Sequence, residues 1–153
     1  MKWLQKHRIL ISEIISILFI MLFVYTGFSK LMEGNTFHNN LINSPFAHVK
    51  SKAGFISWVI PLLEIIVAIL LLFRKTRLKG LYGSLGLMMS FTAYVIGILF
   101  FSPYEPCSCG GVIALLSWNQ HFIFNIIWVI MAISAIVLLR ESSAKAINNY
   151  KLK

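Results

Sequence analysis

The sequence predicts an all-α membrane protein, a four-transmembrane-helix bundle with both termini cytoplasmic. Three observations carry that expectation. The chain has 153 residues, of which 58% are apolar and only 12% charged, whereas soluble domains carry about 25% charged residues. Residues 9–28, 55–73, 80–101 and 121–139 form four apolar stretches, each close to the ~20 residues a helix needs to cross the hydrocarbon core. The basic residues lie almost entirely on one side of these stretches. The length suits a single domain over residues 1–153, and the apolar content excludes intrinsic disorder.

The elements follow in order. Lys2, Lys6 and Arg8 precede the first stretch, which is too long for the h-region of a signal peptide and has no A-x-A-like site after it. It is expected to stay as an anchor. The connection 29–54 is expected to hold a short interfacial helix, with Phe37, Leu41, Ile42 and Phe46 on its apolar side, as a cap over the bundle. His38 and His48 in it read as solvated side chains. The short second connection carries Arg74, Lys75, Arg77 and Lys79. The third, 102–120, carries no lysine or arginine and both cysteines, Cys107 and Cys109. The tail after Arg140 is polar and reads as a frayed helix end.

Eleven of the 14 basic residues fall on the side of the termini, and three (Lys30, Lys50, Lys52) on the other. The positive-inside rule then places both termini in the cytoplasm and both long connections outside. The net charge of +9 is a topology signal. It implies some attraction to anionic lipid and no nucleic-acid partner. The bilayer itself is the expected partner. In a bacterial inner membrane the cysteines would face a disulfide-permissive compartment.

Polar and small residues inside a membrane usually face the bundle interior. Four stripes at steps of three and four residues are expected to do so. They are Glu13, Ser16, Ile20, Val24 and Gly27; Ser57, Pro61, Glu64 and Ala68; Gly83, Gly86, Ser90, Tyr94 and Gly97; and His121, Asn125, Trp128, Ala132 and Ala135. For the glycines and Ser90 the plain reading is close helix approach. Glu64 lies about 13 Å below the outer surface at 1.5 Å per residue. A carboxylate there is costly unless paired or protonated. Its candidate partners are Lys30, Tyr94 and Asn125. A structural ion pair and a proton-handling or ligand-binding role are both open. Glu13, one turn from the cytoplasmic end, is expected to pair with Arg77 or Lys79.

The segment Pro103-Tyr104-Glu105-Pro106-Cys107-Ser108-Cys109-Gly110-Gly111 is the strongest candidate for chemistry. Its prolines and glycines stop the third helix. A disulfide across one residue closes a small, strained ring, and strained exposed disulfides are exchange-labile. A working thiol pair is therefore one reading. A structural disulfide, a soft-metal site completed by His121, and two free thiols are the others. The metal reading has only three ligands, two of them crowded, and no metal is expected. His121, if near a thiol, would favour the reactive thiolate; alternatively it is an interfacial anchor beside Trp118. No second cysteine pair exists. The pair can therefore exchange only with an extracytoplasmic protein or a lipid-soluble carrier such as quinone.

Several segments together resemble the MauE/DoxX-like family of membrane proteins, and its methylamine-utilisation MauE branch in particular. They are Tyr25-Thr26-Gly27-Phe28-Ser29-Lys30-Leu31, the run from Phe37 to Pro45, Pro61-Leu62-Leu63-Glu64, Pro106-Cys107-Ser108-Cys109-Gly110-Gly111 and the run from Leu116 to Asn125. The resemblance implies a four-helix bundle tied to redox processes in the cell envelope. It also implies a thioredoxin-like partner in the maturation of exported proteins. On the DoxX side it implies a quinone-linked membrane subunit. Carried over by residue, Cys107 and Cys109 take the thiol–disulfide role. Lys30 and Glu64 match family positions of unassigned purpose.

The reading is thus of thiol–disulfide exchange through Cys107 and Cys109. Below them Glu64, Lys30, Tyr94, His121 and Asn125 form a candidate proton or quinone pocket. The alternative is a non-enzymatic docking partner of an envelope redox enzyme, with a structural disulfide. A transporter is disfavoured by the short chain without an evident inverted repeat, although an oligomer would evade that objection.

Overall fold

The computed structural model describes residues 2–101 and 117–151. Their regular structure is entirely helical: α1 (Lys2–Met32), α2 (Gly34–Ile42), α3 (Ala47–Ser51), α4 (Ala53–Leu72), α5 (Arg77–Phe101) and α6 (Trp118–Lys151). Four segments are long and apolar enough to cross a membrane: His7–Met32 in α1, Ala53–Leu72, Arg77–Phe101 and Asn119–Ser142 in α6. The chain is a multi-pass membrane protein. The four expected spans are all present. α1 and α6 run beyond the apolar stretches, and α6 continues to Lys151 where a frayed end was expected after Arg140.

The spans form a ring. α1 and α5 stand on opposite corners, and each packs against both α4 and α6. Both ends of the chain therefore lie at one end of the bundle. There Arg8 pairs with Glu141, and Glu13 accepts from Arg77 at 3.1 Å and forms an ion pair with Arg74 at 3.2 Å. Arg77 is the expected partner of Glu13; Arg74, not Lys79, is the second, because the tight α4–α5 turn swings it over α1. The Thr76 hydroxyl holds that turn by donating to the Leu70 carbonyl at 2.7 Å.

α6 begins at a capping box. The Ser117 N–H donates to Gln120 Oε1 at 2.9 Å, and the Gln120 N–H donates to Ser117 Oγ at 3.4 Å. This reciprocal cap starts α6 three residues before the apolar run that was expected to open it.

The centre of the ring is filled by Phe19, Phe23, Leu71, Leu81, Met88, Ala132 and Ala135, all buried. Trp128 meets Phe19 edge-on at 4.7 Å. A smaller apolar cluster joins Phe37 and Leu41 of α2 to Ala53, Ile56 and Ile60 of α4. The first connection thus folds over the bundle end as the cap that was expected. Phe46 supports it by lying against Gly97, where an added Cβ would come within 2.1 Å of its ring. Ile42 departs from the expectation and is exposed.

The predicted stripes are corrected on two helices. On α1 the buried face runs through Ser12, Ile15, Ser16, Phe19, Phe23 and Gly27, whereas Val24 faces outward. On α5 it runs through Gly80, Ser84, Leu87, Met88, Val95 and Ile98, whereas Gly86 and Ser90 are exposed. The reason is local satisfaction. Ser90 Oγ donates to the Gly86 carbonyl at 2.9 Å, so its hydroxyl tolerates the lipid side. The stripes on α4 and α6 hold, with Pro61, Glu64, Ala68, Asn125, Ala132 and Ala135 buried.

Candidate functional site

Glu64 sits on α4 eleven residues after its first residue Ala53 and is fully buried. Lys30, in the last turn of α1, reaches down to it, and its ammonium donates to Glu64 Oε1. Gly27 makes this meeting feasible. An added Cβ there would stand 3.3 Å from the Pro61 carbonyl and 3.4 Å from Glu64 Oε2. α1 thus passes close to α4 at the carboxylate. Pro61 lacks an N–H, which leaves the Ser57 carbonyl without its helical donor two turns above Glu64.

Aromatic rings surround the ammonium. Lys30 Nζ lies 4.8 Å from the Phe91 ring centre and 5.7 Å from that of Phe37. The lysine is therefore held by a carboxylate on one side and π-faces on the others. Only 11% of its side chain is exposed, so desolvation makes each of these contacts matter.

Next to the ion pair a cavity of about 190 Å³ opens between the helices, beneath α2 and α3. Lys30, Glu64, Tyr94, His121 and Asn125 all line it. The structure thus brings together all five residues singled out as pocket candidates, from four separate helices. Tyr94 lies against Phe46 with ring centres 6.2 Å apart, and His121 against Phe124 at 6.4 Å. Asn125 Nδ2 has no hydrogen-bond partner, and Glu64 Oε2 has none apart from the neighbouring Thr26 hydroxyl. Glu64 itself bonds to Lys30 and to neither Tyr94 nor Asn125.

Cys107 and Cys109 lie outside the described residues. Their connection leaves α5 at Phe101 and enters α6 at Trp118, the ends of the two helices that bring Tyr94, His121 and Asn125 to the cavity.

Sequence reasoning missed Thr26, Phe91 and Phe124, which also line the cavity. A spacing signal existed for each. Thr26 is four residues before Lys30, Phe91 three before Tyr94, and Phe124 three after His121, all on the same helix faces. Aromatic residues in an apolar span simply read as lipid contact.

Fold and site define a class: a four-span membrane protein with a buried ion pair and an aromatic cavity at the end of the bundle away from its termini. The chain matches the family of methylamine utilisation protein MauE over residues 8–139. It belongs to that family. No curated protein and no solved structure matches it.

Proposed function

We propose that this chain is an inner-membrane thiol–disulfide exchange protein whose Cys107 and Cys109 react with an extracytoplasmic thioredoxin-like partner. It would thereby support maturation of exported proteins, in a role like the methylamine utilisation that the family description names. The observation that carries the reading is the Cys-Ser-Cys motif itself, in a connection that joins α5 and α6 at the cavity end. The termini and the α4–α5 connection, with eleven basic residues between them, lie at the opposite end. On the positive-inside rule that end is cytoplasmic and the cysteine end extracytoplasmic.

The exchange balances within the two proteins. One cysteine thiolate attacks the partner's disulfide, and one partner sulfur leaves as a thiolate. The second cysteine then attacks the mixed disulfide and releases the other partner sulfur. The partner gains two electrons and two protons, and Cys107 and Cys109 end as a disulfide. The reverse sequence oxidises the partner by the same steps.

The test is the redox state of the pair in native membranes, read by mass-tagged maleimide after acid quenching along a dithiothreitol series. The pair should equilibrate in the range of thioredoxin-like proteins, and Cys107→Ser or Cys109→Ser should trap a mixed disulfide. A pair that stays oxidised to strongly reducing potentials and traps nothing would overturn the proposal in favour of a structural disulfide in a docking protein.

A further inference from the structure

We infer that the cavity is a binding site for the head group of a lipid-soluble quinone or quinol. This goes beyond the cysteine reading and does not depend on it, because every residue used below belongs to the helices.

Size comes first. An apolar cavity of ~150 Å³ accepts one benzene-sized ring. The cavity here is about 190 Å³. It has room for a single substituted ring and none for a long tail.

Access comes second. Ser90 lines the cavity, yet it is exposed on α5 together with Gly86 and Ala93 on the same helix face. It lies eleven residues from Phe101, or about 16 Å at 1.5 Å per residue. That depth is the middle of the span. The cavity therefore reaches the lipid at mid-membrane, and a ligand would come in from the bilayer. Its tail would stay among the acyl chains past Ser90.

Chemistry comes third. Phe37, Phe91 and Phe124 give the cavity ring faces, which suit a planar ligand. Among the buried groups Asn125 Nδ2 is a donor without an acceptor, and Glu64 Oε2 has no donor apart from the neighbouring Thr26 hydroxyl. Leaving such atoms unmatched is costly in a dry interior. A quinol meets both, since one hydroxyl oxygen accepts from the amide and a hydroxyl donates to the carboxylate, whereas a quinone carbonyl serves the amide alone. A sterol or acyl chain offers no such pair on a planar ring. The inference concerns binding and assigns no electron-transfer step.

The experiment uses the full chain in lipid nanodiscs, titrated with decylubiquinone and its quinol, with decanol as the tail-only control. Binding is read by quenching of tryptophan fluorescence and checked by native mass spectrometry. Asn125→Leu removes the buried donor and should weaken binding about tenfold. Ser90→Trp blocks the opening from the lipid side, leaves the core packing untouched, and should weaken binding at least as much. The double variant Cys107→Ser/Cys109→Ser should bind as the wild type does, so failure here is distinguishable from failure of the thiol proposal. Three results would overturn the site: no saturable binding to the wild type, decanol binding as well as the quinone, or affinities unchanged in both Asn125→Leu and Ser90→Trp. Loss of binding on removing the cysteines would also overturn it, since no cavity residue has changed.

Discussion

Glu64 and Lys30 show how one residue pair shapes the site. A carboxylate in the hydrocarbon core is tolerated because Lys30 neutralises it and Phe91 and Phe37 flank the ammonium. Removing one partner strands the other charge, at a cost of about 3–5 kcal/mol. Lys30→Met should therefore destabilise the protein strongly. The double variant Lys30→Met/Glu64→Met should recover most of that loss, because two well-packed apolar side chains replace a desolvated pair. Reversible unfolding in mixed micelles measures both. Strict additivity of the two single variants would mean that the pair contributes no coupling. Gly27 belongs to the same argument. With the Pro61 carbonyl 3.3 Å from the position of an added Cβ, Gly27→Val should force α1 away from α4 and cost about 1–3 kcal/mol. The same unfolding measurement reads it. The ion pair was legible in the sequence because a charged residue in an apolar run needs a partner, and Lys30 stood at the right end of the neighbouring helix. Gly27 was legible only as one more small residue. Its closeness to Pro61 depends on how the two helices are rotated, which their apolar composition leaves open.

At the scale of elements, the sequence spoke clearly where polarity breaks a helix face and poorly where it does not. α6 carries His121, Asn125, Ala132 and Ala135 on one face, and that face is the inward one. α5 offered Gly83, Gly86 and Ser90 as an equally regular stripe, yet Gly86 and Ser90 face outward. Lipid and core are both apolar, so the helix turns to whichever face packs best, and Ser90 satisfies its hydroxyl on its own backbone. The cap formed by α2 has a consequence that can be measured. Phe37 and Leu41 cover the cavity and are themselves buried. Phe37→Ala should open a path from the aqueous side. In a chain without its native cysteines, Thr26→Cys should then react several-fold faster with a water-soluble maleimide than it does under an intact cap. An unchanged rate would mean that α2 does not seal the cavity.

For the whole molecule the decisive property is the segregation of charge. The ring of α1, α4, α5 and α6 brings both termini to one end, where the ion pairs of Arg8 with Glu141 and of Glu13 with Arg74 and Arg77 tie it together. Eleven of 14 lysines and arginines belong to that end. The proposed orientation rests on this bias, so it should respond to it. A fluorescent-protein fusion at the C-terminus should be bright, and an alkaline phosphatase fusion there inactive. The same reporters inserted after Asn43, in the turn between α2 and α3, should give the reverse pattern. Lys75 and Lys79 are exposed and form none of these ion pairs. Lys75→Gln and Lys79→Gln therefore weaken the topological bias without disturbing the Glu13 network. Combined with three new lysines in the turn around Asn43, they should produce a measurable fraction of inverted chains. Arg77→Gln is expected to act differently. It removes a charge and also breaks a contact to Glu13, so it should lower stability as well as bias. A C-terminal phosphatase fusion already active in the unaltered chain would place the basic end outside. The cysteine connection would then face the cytoplasm, and the exchange partner would have to be sought there.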